Sequence, residues 1–127
     1  MRPPPITGII ELDSWLNDIW KYIELCSCKI ATGTYTGNAA ATQATTGVGF
    51  QPRLLIIDYP ATAGTQMGIK NDQMGTKAKI IHSTSGYYED DHIISLDSDG
   101  FTVGDGTGGV ANVMNVNAVT YTYVCFG

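Results

Sequence analysis

The sequence predicts a mainly β protein with one N-terminal α-helix, the β part being an antiparallel sandwich or Greek-key barrel of about seven to eight short strands. Three observations carry this reading. Apolar residues recur every three or four positions up to residue 30 and then switch to alternation. Glycine, asparagine and proline punctuate the second region as turn residues do. Charged residues make up only 15% of the 127 positions, while glycine alone supplies 15. An average soluble domain carries about 25% charge and about 7% glycine. Much of this surface must therefore be neutral Thr, Gly, Asn and Ser, as in coat-like, fibre-like or adhesive β proteins. The length excludes a Rossmann enzyme with a separate substrate domain and a barrel of about 250 residues.

The chain reads as two regions, a proline-rich leader with a helix over residues 1–30 and an antiparallel β domain over 31–127. The leader runs Met1-Arg2-Pro3-Pro4-Pro5-Ile6, stiff and poor in donors. Such a segment suits a groove on another protein, and Pro3, Pro4, Pro5 and Ile6 are the candidate anchor; an inert linker is the plain alternative. No apolar stretch follows that would make a secretory signal, and none approaches the roughly 20 residues of a membrane span.

In the helical region Ile9, Leu12, Leu16, Ile19, Ile23, Cys26 and Ile30 fall on a heptad pattern. Thr7-Gly8 offers a start signal, Glu11 and Asp13 occupy the first turn and Lys29 the last, each suited to the helix dipole. The stripe fits a helix packed on its own domain or an oligomerising stalk. Trp15, Trp20 and Tyr22 widen the apolar face, and isoleucine at both core positions points away from a dimer. The expectation is a homotrimer.

Period-two patterning then predicts strands over 32–36, 42–48, 53–59, 66–70, 77–83, 92–96, 101–104 and 119–126. Thr32–Thr36 and Thr42–Val48 are expected to pair across the Ala39-Ala40-Ala41 link. Arg53–Tyr59, containing Leu54, Leu55, Ile56 and Ile57, reads as buried on both faces and ended by Pro60. Asp97-Ser98-Asp99-Gly100 is a strong turn signal, and 105–109 is a glycine-rich loop.

Candidate chemistry is sparse. Tyr87, Tyr88, Glu89, Asp90, Asp91 and His92 put two aromatics, three carboxylates and an imidazole in one segment. Such a set can hold a cation or grip a sugar; it also reads as an exposed acidic loop. Asp97, Asp99 and Asp105 resemble a fragment of a calcium loop but lack its spacing and terminal glutamate, so turn capping is the better reading. His82 and His92 with Cys26 and Cys28 have no metal-ligand spacing, and three cysteines describe no disulfide framework. Adjacent carboxylates do not face each other across a cleft as a glycosidase pair must. No nucleophile elbow or phosphate loop is present in the sequence. No catalytic residue, metal or cofactor is expected, and a glycan-active enzyme is the least favoured class. A net charge of −5 without clustered cations disfavours nucleic acid as a partner.

Several stretches resemble small β domains of bacteriophage tail-fibre and virion surface proteins: Gly33-Thr34-Tyr35-Thr36-Gly37-Asn38, Gly49-Phe50-Gln51-Pro52, Asp99-Gly100-Phe101-Thr102-Val103, Asn117, Tyr121-Thr122-Tyr123 and Phe126. Pro5-Ile6-Thr7-Gly8 with Leu12-Asp13-Ser14-Trp15-Leu16 and Ile19-Trp20 is similar to the start of short phage structural proteins. Usual members carry glycine where this chain has Ala39 and less insertion around 60–92. The resemblance implies a location on the virion surface after synthesis in the host cytoplasm, oligomerisation, and a structural or binding role. It leaves two forms of that role open. One is a fibre-like appendage anchored to another virion protein (capsid, portal or tail), its β domain reaching a host-surface glycan. The other is a decoration protein clamping capsid subunits.

Overall fold

A computed structural model of the chain describes residues 14–21, 28–59, 66–81, 86–105 and 114–127, with the backbone alone for 86–89. Helix α1 covers 14–21. Nine strands follow among the described residues: β1 (Ile30–Thr36), β2 (Thr42–Thr46), β3 (Leu54–Tyr59), β4 (Gln66–Asn71), β5 (Lys77–Ile81), β6 (Gly86–Asp90), β7 (Ile93–Asp97), β8 (Gly100–Gly104) and β9 (Thr120–Phe126). They form a six-stranded sheet ordered β1-β9-β3-β4-β5-β6 and a three-stranded sheet ordered β2-β8-β7, with every pairing antiparallel. The mainly β class with one short N-terminal helix is as expected, and the two sheets make it a sandwich.

Alternation explains the layering. In β1, Tyr35 is buried while Thr32, Thr34 and Thr36 are exposed. Leu55 and Ile57 of β3, Ala78 and Ile80 of β5, Phe101 and Val103 of β8, and Tyr121 and Cys125 of β9 join Ile93 and Met114 in one fully buried core. Aromatic rings organise one part of it. Tyr121 stacks between Tyr35 (centroids 4.8 Å, planes 8° apart) and Tyr59 (5.3 Å, 22°). Phe101 of the facing sheet meets Tyr35 and Tyr123 edge-on at 5.7 and 5.0 Å, the geometry that ring quadrupoles favour. Gly33 is required here: a Cβ at this position would strike the Tyr123 ring, whose Cε1 would lie 3.0 Å away.

Four expectations are corrected. β1 and β2 do not pair: β1 binds β9 in register from Ile30↔Phe126 to Thr36↔Thr120, whereas β2 binds β8 in the other sheet. Tyr35 finds its stacking partner on β9, and the 37–41 link carries the chain across to the second sheet. The 3-4 apolar spacing does not extend the helix to residue 30, because Cys28 and Lys29 are non-helical and Ile30 opens β1. β3 is central, but only Leu55 and Ile57 are buried; Leu54 and Ile56 on its other face are half-covered. Finally, 86–90 is an edge strand rather than a loop, paired with β5 from Lys77↔Asp90 to Ile81↔Gly86. Pro60, and Ile9, Leu12, Ile23 and Cys26 of the stripe, lie outside the described residues.

Two local devices hold the turns. Asp99, in the two-residue β7–β8 turn, accepts the Gly47 and Gly49 amides on its carboxylate at 3.1 and 2.6 Å, and the Val48 amide on its carbonyl at 3.1 Å. Gly47 and Gly49 have φ of 86° and 90°, values that only glycine adopts without cost. The 37–41 link is held by Asn115, which is fully buried. Its Oδ1 accepts the Asn38 amide (3.0 Å), and its Nδ2 donates to Asn38 Oδ1 (3.1 Å) and the Ala40 carbonyl (2.8 Å).

Ala39 adopts φ 56° and Ala118 φ 62°, both exposed. The left-handed region costs an L-residue about 1 kcal/mol or more, part of which glycine loses again to unfolded-chain entropy. Ala39→Gly and Ala118→Gly are each expected to raise stability by about 0.5 kcal/mol. Urea midpoints shifted upward with unchanged m-values would register the effect.

Candidate functional site

The segment singled out by its aromatics and carboxylates is divided by the fold. Tyr87, Tyr88 and Glu89 lie on edge strand β6, in register with Ile80, Lys79 and Ala78. Asp90 accepts the Thr76 hydroxyl at 2.7 Å and the Lys77 ammonium at 3.0 Å. Hydrogen bonds from Thr76 and Lys77 hold its carboxyl below the usual range. Asp91 is exposed at φ 65° in the β6–β7 turn. His92 is fully buried and its carbonyl accepts the Gly104 amide at 3.1 Å. The imidazole therefore belongs to the interior, not to a surface cluster with Asp90 and Asp91.

Two of the aspartates with a partial calcium-loop spacing, Asp97 and Asp99, are occupied by protein donors. Asp97 accepts the Ser95 and Thr102 hydroxyls, both at 2.7 Å, and Asp99 accepts the glycine amides described above. Asp99 thus caps a turn, whereas Asp97 ties hydroxyls of β7 and β8 together. Among the described residues no group of three or more His, Cys, Asp or Glu side chains is placed to hold a metal. Of the helical stripe, Leu16 is 42% and Ile30 61% exposed, Ile19 is half-exposed, and Trp20 beside them is 63% exposed. The leader residues Pro3, Pro4, Pro5 and Ile6 fall outside the described residues. No described helix is long and apolar enough to cross a membrane.

A site that the sequence did not disclose lies at one end of the sandwich, where the β4–β5 turn approaches β7. A pocket of about 190 Å³ is lined there by Gln51, Lys70, Asn71, Asp72, Ser95 and Leu96, among others. Lys70 is only 2% exposed. It follows Gly68 on the inward face of β4, and its Nζ donates to the Gly75 carbonyl at 2.5 Å and the Lys77 carbonyl at 2.6 Å. Both acceptors are neutral. Burial pushes the ammonium below its ordinary pKa, with the Asp90 carboxylate acting in the opposite direction. Across the mouth, Asp72 accepts Arg53 Nε at 3.1 Å, and bonds from Arg53 and Gln73 hold its carboxyl low. Gln51 donates to the Leu96 carbonyl at 3.1 Å, tying the pocket wall to β7. In sequence, Met67-Gly68-Ile69-Lys70 is an ordinary alternating strand. Only the hairpin carbonyls, brought together by the turn, make an interior position tolerable for the lysine.

One family of proteins, described as a domain of unknown function (DUF7483), matches residues 27–127, a stretch that takes in all nine strands. No curated protein matches the chain, and no solved structure does. The chain belongs to the DUF7483 family.

Proposed function

We propose that this member of the DUF7483 family is a non-enzymatic structural protein of a bacteriophage virion. In this reading it is a homotrimeric appendage, held to another virion protein by its N-terminal segment, with the β sandwich turned outward to contact the host surface. One observation carries the assembly. Every residue of α1 is exposed or half-exposed, and Leu16 and Trp20 are large apolar side chains among them. An isolated helix of this length is marginal in water and gains stability by burying its apolar face. The heptad spacing through Leu12, Leu16 and Ile19 supplies that face. Joining three β domains multiplies weak individual contacts, which is how a neutral Thr-rich surface becomes an effective adhesive.

The capsid-decoration reading is favoured by a different feature. β1 is a seven-residue edge strand, Ile-Ala-Thr-Gly-Thr-Tyr-Thr, without charge, proline or bulge. Exposed edges are commonly blunted by such devices. An unblunted edge suits strand addition from a shell subunit.

Light scattering is expected to give close to three times the 13.6 kDa of one chain. Ile19→Asp is expected to reduce this to a single chain, because a carboxylate cannot be buried in the seam without partners. Both tryptophans, Trp15 and Trp20, lie on α1, so their emission should shift to the blue in the assembled form and return to the red in the variant. A wild-type monomer, or a trimer that survives Ile19→Asp, would overturn the stalk.

A further inference from the structure

We propose that the pocket beside Lys70 is a binding site for a small carboxylate of the size of an acidic monosaccharide. The site stands on the β sandwich alone and is independent of the assembly proposed above.

The argument starts from an electrostatic imbalance. Lys70 is almost fully buried, yet among the described residues its ammonium is held by two carbonyl oxygens and by no carboxylate at hydrogen-bond distance. A buried cation is normally paired, because neutral acceptors offset only part of its lost hydration. An ammonium has three N–H donors, and two acceptors are present for Lys70. The surrounding carboxylates are committed elsewhere: Asp90 to Thr76 and Lys77, Asp72 to Arg53 and Gln73. The lysine also lines an open cavity rather than a packed wall. A carboxylate entering that cavity supplies a hydrogen-bonded counter-charge, which the Asp90 carboxylate does not provide, and a strong acceptor for the third N–H. Burial lowers the Lys70 pKa although the Asp90 carboxylate acts against it, in line with an ammonium whose hydration is only partly replaced.

Size and lining narrow the class. About 190 Å³ is below the usual range for drug-sized ligands and suits about one sugar ring. Amide and hydroxyl side chains from Gln51, Asn71 and Ser95 converge there with the aliphatic side chains of Ile94 and Leu96. That mixture fits the polar edge and apolar face of a pyranose better than an apolar acid. The Asp72 carboxylate at the mouth disfavours dianions, so a single carboxylate is preferred over phosphate.

The test uses the full chain, with D-glucuronate as probe and D-glucose as neutral control, read by amide chemical shifts. Saturable shifts at Gly75 and Ser95 with glucuronate, on the order of millimolar affinity, are expected, with none from glucose. Lys70→Met keeps the volume and removes the charge, and is expected to fold and to weaken glucuronate binding at least tenfold. Should that variant fail to fold, the titration of the Lys70 side chain in the wild-type protein decides, read from its Cε resonance. Bound glucuronate must raise the Lys70 pKa. Equal shifts from glucose, unaltered binding by a folded Lys70→Met, or a Lys70 pKa indifferent to glucuronate would each overturn the site.

Discussion

Replacing Asn115 with alanine is expected to lower the stability of the β sandwich by about 3 kcal/mol, a large share of the 5–15 kcal/mol typical of a domain. The side chain is fully buried and makes three hydrogen bonds to the 37–41 link, two as donor and one as acceptor. Each bond is worth about 1 kcal/mol net when lost. Exposure of Asn38 and Ala40 lets water replace part of the loss, which keeps the figure from rising further. The neighbouring backbone adds to the effect. The Asn115 carbonyl accepts the Ala39 amide at 3.0 Å, and the Met114 carbonyl accepts the Tyr35 hydroxyl at 2.6 Å, so displacing 114–116 also loosens the stacked tyrosines. Asn115→Asp is expected to be at least as damaging. It keeps the volume but turns two donated bonds into oxygen facing oxygen and buries a charge. Urea unfolding followed by circular dichroism in the tyrosine region measures both, since the tryptophans lie on α1 and do not report on the sandwich.

The second large effect is a loss of stability in alkali. Burial raises the Cys125 thiol from 9.0 to about 11 and the Tyr121 phenol from 10.0 to about 12, and raises Tyr35 further still. In the unfolded chain these groups lose their protons near pH 9 and 10; in the folded protein they keep them. The unfolded state then binds fewer protons, so stability falls as pH rises through this window. The contribution is fully present below pH 9 and is lost by about pH 12. Two units at each of Cys125 and Tyr121 correspond to roughly 2–3 kcal/mol apiece. Lys70 works in the other direction, because its lowered pKa means the unfolded chain holds the extra proton up to about 10.5, and its burial cost relaxes as pH approaches that value. The expected profile is a shallow change to about pH 10 and a steep fall above it. Urea midpoints measured at intervals from pH 8 to 11.5 would show it, and Cys125→Ala should flatten the segment beginning near pH 9.

What could be read from the sequence was local. The Asp97–Gly100 turn and the strands on either side of it are encoded within a dozen residues, and the structure places them as expected. Partner choice is not local. β1 lies beside β9 because Tyr35 and Gly33 fit Tyr121 and Tyr123, a match between residues more than 80 positions apart that no periodicity reveals. The 86–90 strand was hidden by its composition. Acidic residues mark loops on average, yet an edge strand tolerates them because one of its sides meets water. The helix end was hidden by a coincidence of spacing, since Ile30 satisfies both a heptad and a strand. Lys70 escaped notice because a lysine at the end of an alternating run is expected to face solvent; the acceptors that hold it inside, Gly75 and Lys77, belong to a turn whose shape exists only after folding.

The sheet order has a consequence for synthesis on the ribosome. β9, which follows the other eight described strands in the chain, is the one that lies between β1 and β3, contacting both along their length. Until β9 has left the exit tunnel, β1 has no partner in the six-stranded sheet and β3 has unpaired backbone groups along the side that β9 will cover. The nascent sandwich thus carries two unsatisfied edges until β9 emerges, and joining β1 to it has the slow kinetics of distant pairings. A chain released before β9 would keep both edges open to neighbouring chains, so premature termination in this gene product leads towards aggregation rather than a smaller working domain.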